Sequence, residues 1–291
     1  MGEESQPQSA SPFISMFEGF RKELDEHHDR RERIIKASRD ITAASKKIIF
    51  SLQRVRKVGE KLPGFVLKTN TQYWEIIENQ YKAISTDLQG LNAYRYGRNI
   101  TGGNQEFMEA LSFQHYLETQ QLISFEESEK RIASMSGEAG PVMLSPEDYI
   151  LGIFDMVGEL MRFSITSIAT NGKLPAGTSE SQDRPSKKAK TEESGDQMEI
   201  DEQLPPQTPT QHRPRDVLSD LRELRLQLEM FEPPQGSNFS RDVDKKMDVM
   251  KQCVEKVETA LYGLIVRGSE RPKGWVPDMG DSRKGAEIES Y

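Results

Sequence analysis

Two pairs of acidic residues sit at helical spacing inside apolar runs, where acids are scarce unless something compensates them. Glu106 and Glu109 lie in the run 105–117, and Asp155 and Glu159 lie in the run 148–162. Spacings of three and four residues let each pair point both carboxylates to one side of a helix. Four carboxylates gathered from two mostly apolar helices repel one another unless a cation sits among them. Oxygen donors of this kind suit Mg²⁺, with Mn²⁺ as the alternative. The competing reading is a set of solvated surface charges, with Arg162 pairing Glu159. A di-iron carboxylate site is disfavoured, because that design needs Glu-x-x-His and no histidine here follows a Glu by three.

The surroundings of the two pairs differ. Around Glu106 and Glu109, the residues Phe107, Met108, Ala110, Leu111, Phe113, Tyr116 and Leu117 are apolar on nearly every side, which predicts a buried helix. Acids in such a setting need partners. Asp155 and Glu159 share their side with Gly152, Gly158 and Arg162. Each glycine costs about 1 kcal/mol relative to Ala in a helix, so their presence suggests that another backbone or a ligand approaches closely.

The elements that must carry these acids are helical. Phe13, Phe17, Phe20 and Leu24 form one apolar ridge, and Ile34, Ile41, Ile48, Leu52 and Val55 continue it. This predicts a helix from Phe13 to about Lys57, single or broken near Gly59. A second helix is expected over Thr71–Asn92, followed by a turn at Gly97–Gly103 and then by the helix of Glu106 and Glu109. Ser124 through Glu127 reads as a capping box. Ser145, Pro146, Glu147 and Asp148 mark a strong helix start, and that helix is expected to run to about Ala169. Two more helices are expected from about Val217 and over Asp242–Val266. No segment alternates with the two-residue period of a strand. The fold class is therefore all-α, a bundle.

Composition divides the chain further. Of its 291 residues 35% are hydrophobic and 30% charged, so part of it is expected to stay unfolded. Residues 1–12 read as a disordered N-terminus. Residues 170–213 lack aromatic residues and read as a disordered insert between 13–169 and 214–270, which together form one helical domain. Residues 271–291 read as a polar tail. The insert carries Lys187, Lys188 and Lys190 in a short basic run resembling a nuclear-import signal. The single cysteine, Cys253, excludes an internal disulfide and fits a reducing compartment. No apolar run is long enough for a membrane span.

The net charge of −8 argues against a broad basic nucleic-acid surface. A local one remains. Arg30 to Lys61 holds eleven Lys or Arg against three acids, and reads either as a phosphate-binding stripe or as a solvated helix face. Tyr94, Tyr96 and Arg98 precede the first acidic pair. Aromatics beside Arg can stack on bases, though both tyrosines read better as core residues at a helix end.

These residues resemble the translin-associated factor X (Trax) family. The similarity runs through Glu23–Asp29, Ser38–Thr42, Ile100–Gly103, Glu106-x-x-Glu109-Ala, Ser112–His115, Asp148-Tyr-x-Leu-Gly152, Asp155-x-x-Gly-Glu-Leu-Met-Arg162 and Val266–Glu270. The resemblance implies a seven-helix translin-like bundle of long antiparallel helices. It implies assembly with translin into a hollow hetero-oligomer, and an Mg²⁺-dependent endoribonuclease acting on single-stranded RNA, including small-RNA passenger strands and precursor-tRNA fragments, in cytoplasm and nucleus. The family's catalytic acids fall on Glu106, Glu109, Asp155 and Glu159. Glu109, Asp155 and Glu159 are then expected as metal ligands, Glu106 as a positioning or proton-transfer group, and Arg98 and Arg162 as RNA contacts. The non-enzymatic alternative is a helical scaffold that stabilises an RNA-binding partner.

Overall fold

The computed structural model describes residues 12–177 and 215–267. The readings of residues 1–11, 178–214 and 268–291, including Lys187, Lys188 and Lys190, lie outside the described residues. The described residues form seven α-helices: α1 (Pro12–Leu52), α2 (Gly64–Ile84), α3 (Leu91–Thr119), α4 (Phe125–Met135), α5 (Pro146–Asn171), α6 (Val217–Glu229) and α7 (Asn238–Arg267). A short 3-10 turn, Thr86–Leu88, links α2 to α3. No strand occurs among the described residues; one isolated bridge joins Ala176 to Asp216. The described chain thus continues past the 169/170 boundary as far as residue 177 and returns at 215 beside it. Among the described residues no helix is long and apolar enough to cross a membrane.

Helix α3 packs against both α1 and α5, α2 packs on α1, and α7 packs on α5. Consecutive long helices run antiparallel. Lys47 meets Tyr73 and Arg54 meets Phe65 across α1 and α2. Tyr81 meets Asn104 and Trp74 meets Gln114 across α2 and α3. The two acid-bearing helices, by contrast, run in the same sense, because α4 and its connections intervene: Asn104 bonds Asp148, and further along Phe113 packs on Phe163. The core is built from the predicted apolar faces, with Ile34, Ile41, Ile48, Phe107, Phe113, Leu117, Phe163 and Val257 fully buried. Each such side chain contributes about 1.5–3 kcal/mol of transfer free energy. The ridge of Phe13, Phe17, Phe20 and Leu24 is real but unpartnered; every residue from Phe13 to Glu26 is exposed.

The helix starts follow local chemistry. Ser124 accepts from the Glu127 amide while the Glu127 carboxylate accepts from the Ser124 amide, a complete capping box. Ser124→Ala should cost about 1 kcal/mol, read as a lower urea midpoint with an unchanged slope. Ser145 accepts from the Asp148 amide at 3.0 Å and Pro146 occupies the first turn.

Three expected boundaries shift. Helix α1 ends at Leu52 rather than near Lys57. Helix α2 begins at Gly64 and ends at Ile84 rather than spanning Thr71–Asn92. The turn expected at Gly97–Gly103 lies inside α3, which starts at Leu91. The reason is packing between α1 and α3. The Gly103 amide donates to Ser38 Oγ at 3.0 Å, and a Cβ on Gly103 would stand 3.0–3.1 Å from Ser38 atoms. Gly103 is therefore a contact point between helices and does not break the helix.

Candidate active site

Helices α3 and α5 are held in register by a polar clamp at one end and by a close contact in the middle. The clamp is Asp148, which accepts from Asn104 at 3.3 Å and from Gln105 at 3.1 Å, while Asn104 accepts from the Tyr81 hydroxyl at 3.0 Å. The contact is Gly152. A Cβ there would lie 2.5 Å from Met108 Cβ and 3.0 Å from the Gln105 carbonyl oxygen, so only glycine lets the backbones approach this far. Gly158 has nothing within 4 Å of the equivalent point. Of the two glycines singled out by sequence, one is thus a packing device and the other faces open space.

This packing brings all four acids together. Glu109 is deeply buried, and its carboxyl is pushed up to about 9, first by burial and then by the charges of Asp155, Glu106 and Glu159. Burial also raises the Glu106 carboxyl, against the pull of Lys46. One Glu106 oxygen, Oε2, is buried with no hydrogen-bond partner. The Glu109 carboxyl makes no side-chain hydrogen bond or ion pair among the described residues.

The other acids are held by residues that sequence reasoning did not select. Lys246 of α7 grips both oxygens of Asp155, at 2.5 Å for Oδ2. Lys46 of α1 lies 3.4 Å from Glu106. Gln53, just past the end of α1, donates to Glu159 Oε2 at 2.6 Å and to the Glu159 carbonyl at 2.9 Å. Arg162 pairs with Glu159 at 3.5 Å from an exposed position, so the pairing weighed from sequence is present alongside the convergence of acids. Lys46 and Gln53 are seven residues apart, Lys46 near the end of α1 and Gln53 in the turn after it, and that spacing was available in the sequence. Nothing local distinguishes Lys246.

With Glu109 protonated, three carboxylates face three cations: Lys46, Lys246 and Arg162. The donor set fits a hard divalent cation, since it consists of carboxylate oxygens, one of which, Glu106 Oε2, is buried without a partner. In this side-chain arrangement, no three His, Cys, Asp or Glu residues are grouped as a metal cluster among the described residues.

Arg98 is exposed on α3, eight residues before Glu106 and so about 12 Å along the axis; among the described residues no side-chain bond joins it to the acids. Tyr96 is buried and bonds His27, as expected of a core residue, whereas Tyr94 is 93% exposed, against expectation.

The sequence profile of the translin family matches residues 29–268. The chain belongs to the translin family. It is 30% identical to the translin-associated protein X of Rattus norvegicus over 289 residues, covering 93% of this chain and 84% of that protein. It is 36% identical to the translin-associated protein X homolog of Schizosaccharomyces pombe over 152 residues, covering 52% and 61% of the two chains. The solved structure of apo-NeC3PO shares the fold at a TM-score of 0.52 and 18% identity, covering 88% of this chain and 99% of that one. The structure of AfC3PO does so at a TM-score of 0.50 and 17% identity, covering 86% and 97%. At these identities the structural likeness speaks for the fold alone. The all-α, seven-helix translin-like bundle expected from the sequence is therefore the observed one.

Proposed function

We propose that this translin-family chain is the catalytic subunit of an Mg²⁺-dependent endoribonuclease that works in a hetero-oligomer with translin on single-stranded RNA, including small-RNA passenger strands and precursor-tRNA fragments. The observation that carries the reading is the buried Glu109 carboxyl between α3 and α5, raised first by burial and then by the neighbouring charges of Asp155, Glu106 and Glu159. Perturbed carboxyls in such a cluster are a common signature of functional sites. The basic run in the insert extends the proposal to action in the nucleus as well as the cytoplasm.

In this reading Glu109, Asp155 and Glu159 would hold the ion. When bound, the ion polarises a phosphate oxygen and activates water. The chain's own residues do the rest. Gln53 fixes Glu159 through two bonds and keeps its carboxylate turned to the cluster. Glu106, with a raised pKa and a free buried oxygen, can hold or pass a proton while Lys46 orients it. Arg162 presents an exposed guanidinium at the rim, suited to a phosphodiester.

Lys246 acts against metal loading, because its ammonium occupies Asp155. Lys246→Gln should tighten Mn²⁺ binding about tenfold, since removing a competing charge in a partly exposed site is worth roughly 1–2 kcal/mol. Mn²⁺ electron paramagnetic resonance of the variant and parent would show it. An unchanged affinity would mean that the ion binds elsewhere.

The same lysine pairs favour the second reading, a non-catalytic scaffold whose acids are satisfied internally. Incubating the co-assembled complex with single-stranded RNA, in Mg²⁺ or in chelator, separates the two. Cleavage should require Mg²⁺ and should disappear with Asp155→Ala while assembly persists. Cleavage that survives the substitution assigns the activity to another subunit.

A further inference from the structure

We propose that the groove between α1 and α2 beside the acids is a binding subsite for single-stranded RNA, taking a phosphodiester on Lys47 and Arg54 and a base against Phe50 and Tyr73. The groove is a cavity of about 360 Å³ lined by Lys46, Lys47, Phe50, Ser51, Arg54 and Tyr73, with no Asp or Glu in its wall. That volume lies in the range of pockets that hold small organic groups. The identity of the strand rests on the nuclease reading; the site itself rests on four features of the groove.

The first is charge. Lys46, Lys47 and Phe50 come from the last turns of α1 and Arg54 from the turn just after its end at Leu52, and all four line the groove. Neither Lys47 nor Arg54 has an acidic partner among the described residues. Each instead lies over an aromatic ring, Lys47 at 5.3 Å from Tyr73 and Arg54 at 5.0 Å from Phe65. Cations left without carboxylates on a chain of net charge −8 are available to an external anion.

The second is the aromatic wall. Phe50 is 74% exposed at the mouth of the cavity, and Tyr73 lines it. Cations interleaved with ring faces are the recurrent chemistry of single-strand binding, because every base offers a face to stack. An acidic peptide would use the charges but has no use for the rings.

The third is an unmet hydrogen bond. Ser51 lines the cavity, is 3% exposed, and its Oγ has no partner. Buried hydroxyls normally find one, and a phosphate oxygen or a 2′-hydroxyl would serve. The fourth is continuity. Lys46 lines the groove and also lies 3.4 Å from Glu106, so a strand seated there leads directly to the acids. The basic run of α1, open from sequence to two readings, thereby acquires a definite role over Lys46–Arg54.

The test uses the full chain co-assembled with translin, in chelator so that RNA stays uncut. The probe is a fluorescein-labelled 12-nucleotide oligouridylate containing 4-thiouridine. Photo-crosslinks should map to peptides holding Phe50 or Tyr73. They should fall about tenfold in the double variant Lys47→Gln/Arg54→Gln, whose substituted positions are exposed. The slope of log affinity against log salt should drop by about 1.4, two lost contacts at roughly 0.7 each for a single strand. Tyr73→Ala should weaken binding without changing that slope. Crosslinks and slope unchanged in the double variant would overturn the proposal. So would displacement of the RNA from the groove by an oligo-aspartate peptide at equal concentration. The two readings fail separately. If Asp155→Ala stops cleavage while the double variant crosslinks normally, the nuclease stands without the groove. Lost crosslinks in a complex that cuts nothing would leave the groove without the nuclease.

Discussion

Glu109→Gln is expected to abolish RNA cleavage and, in the same protein, to raise thermal stability. The two effects have one cause. Glu109 is buried among three other acids, and its carboxyl sits at about 9 instead of its ordinary 4.5. Below pH 4.5 the group is neutral both folded and unfolded, and folding costs nothing on its account. As pH rises from 4.5 toward 9, the unfolded chain releases this proton and the folded chain keeps it. Stability is therefore lost progressively through that window. Gln keeps the shape and has no proton to release. At pH 8 in chelator the variant should gain on the order of 3 kcal/mol, or a rise of roughly 5–10 °C in Tm. At pH 5 the gain should nearly vanish. Cleavage should fall by at least about a hundredfold, since an amide is a poor ligand for a hard divalent cation and carries no charge to offset it. Scanning calorimetry at the two pH values and a gel assay with Mg²⁺ would read both. A Tm difference independent of pH would show that Glu109 is not held neutral by its neighbours. This opposition between stability and activity is what a functional site produces; a carboxylate kept only for structure has no reason to carry it.

Gly152→Ala is expected to be the most damaging single-methyl change in the described chain. Intrinsic helix preference favours it by about 1 kcal/mol. Packing opposes it. The new Cβ would meet Met108 Cβ at 2.5 Å, the Gln105 carbonyl oxygen at 3.0 Å and the Glu109 amide nitrogen at 3.4 Å. Two of these are backbone atoms of a buried helix that is clamped at Asp148, so they yield only if α3 and α5 separate. Forcing that shift costs about 1–3 kcal/mol, and more where backbone must move. The urea midpoint should fall accordingly. Cleavage should drop by about a hundredfold even in the protein that remains folded, because misplacing catalytic groups by about 1 Å is enough for that. Gly158→Ala is the internal control. It lies two turns away on the same helix with nothing within 4 Å, and should be neutral or slightly stabilising. Equal behaviour of the two variants would mean that close approach of the backbones at Gly152 does not set the site.

Much of the bundle was legible before any coordinates. The capping box at Ser124, the start at Ser145-Pro146 and the apolar faces of α1, α3, α5 and α7 all depend on neighbours within a turn or two. Their spacing therefore carries the answer. The same local logic placed Gly97–Gly103 in a turn, because glycine disfavours helix when nothing is packed against it. Ser38 is packed against it, sixty-five residues away in sequence, and α3 runs straight through. The exposed ridge of Phe13, Phe17, Phe20 and Leu24 shows the complementary limit. Periodicity reports that a face is apolar, and says nothing about whether the same chain covers it.

The four acids themselves were determined by the sequence: their types, their pairing on two helices, and the oxygen chemistry they can support. What only the tertiary structure decided is their electrostatic state. Lys46 reaches the acids from α1, Gln53 from the turn after it and Lys246 from α7, while burial and the neighbouring charges leave Glu109 as the group that keeps its proton. Helical spacing is a property of the chain, whereas charge and solvation act through space, over a few ångströms and without regard to the number of residues between.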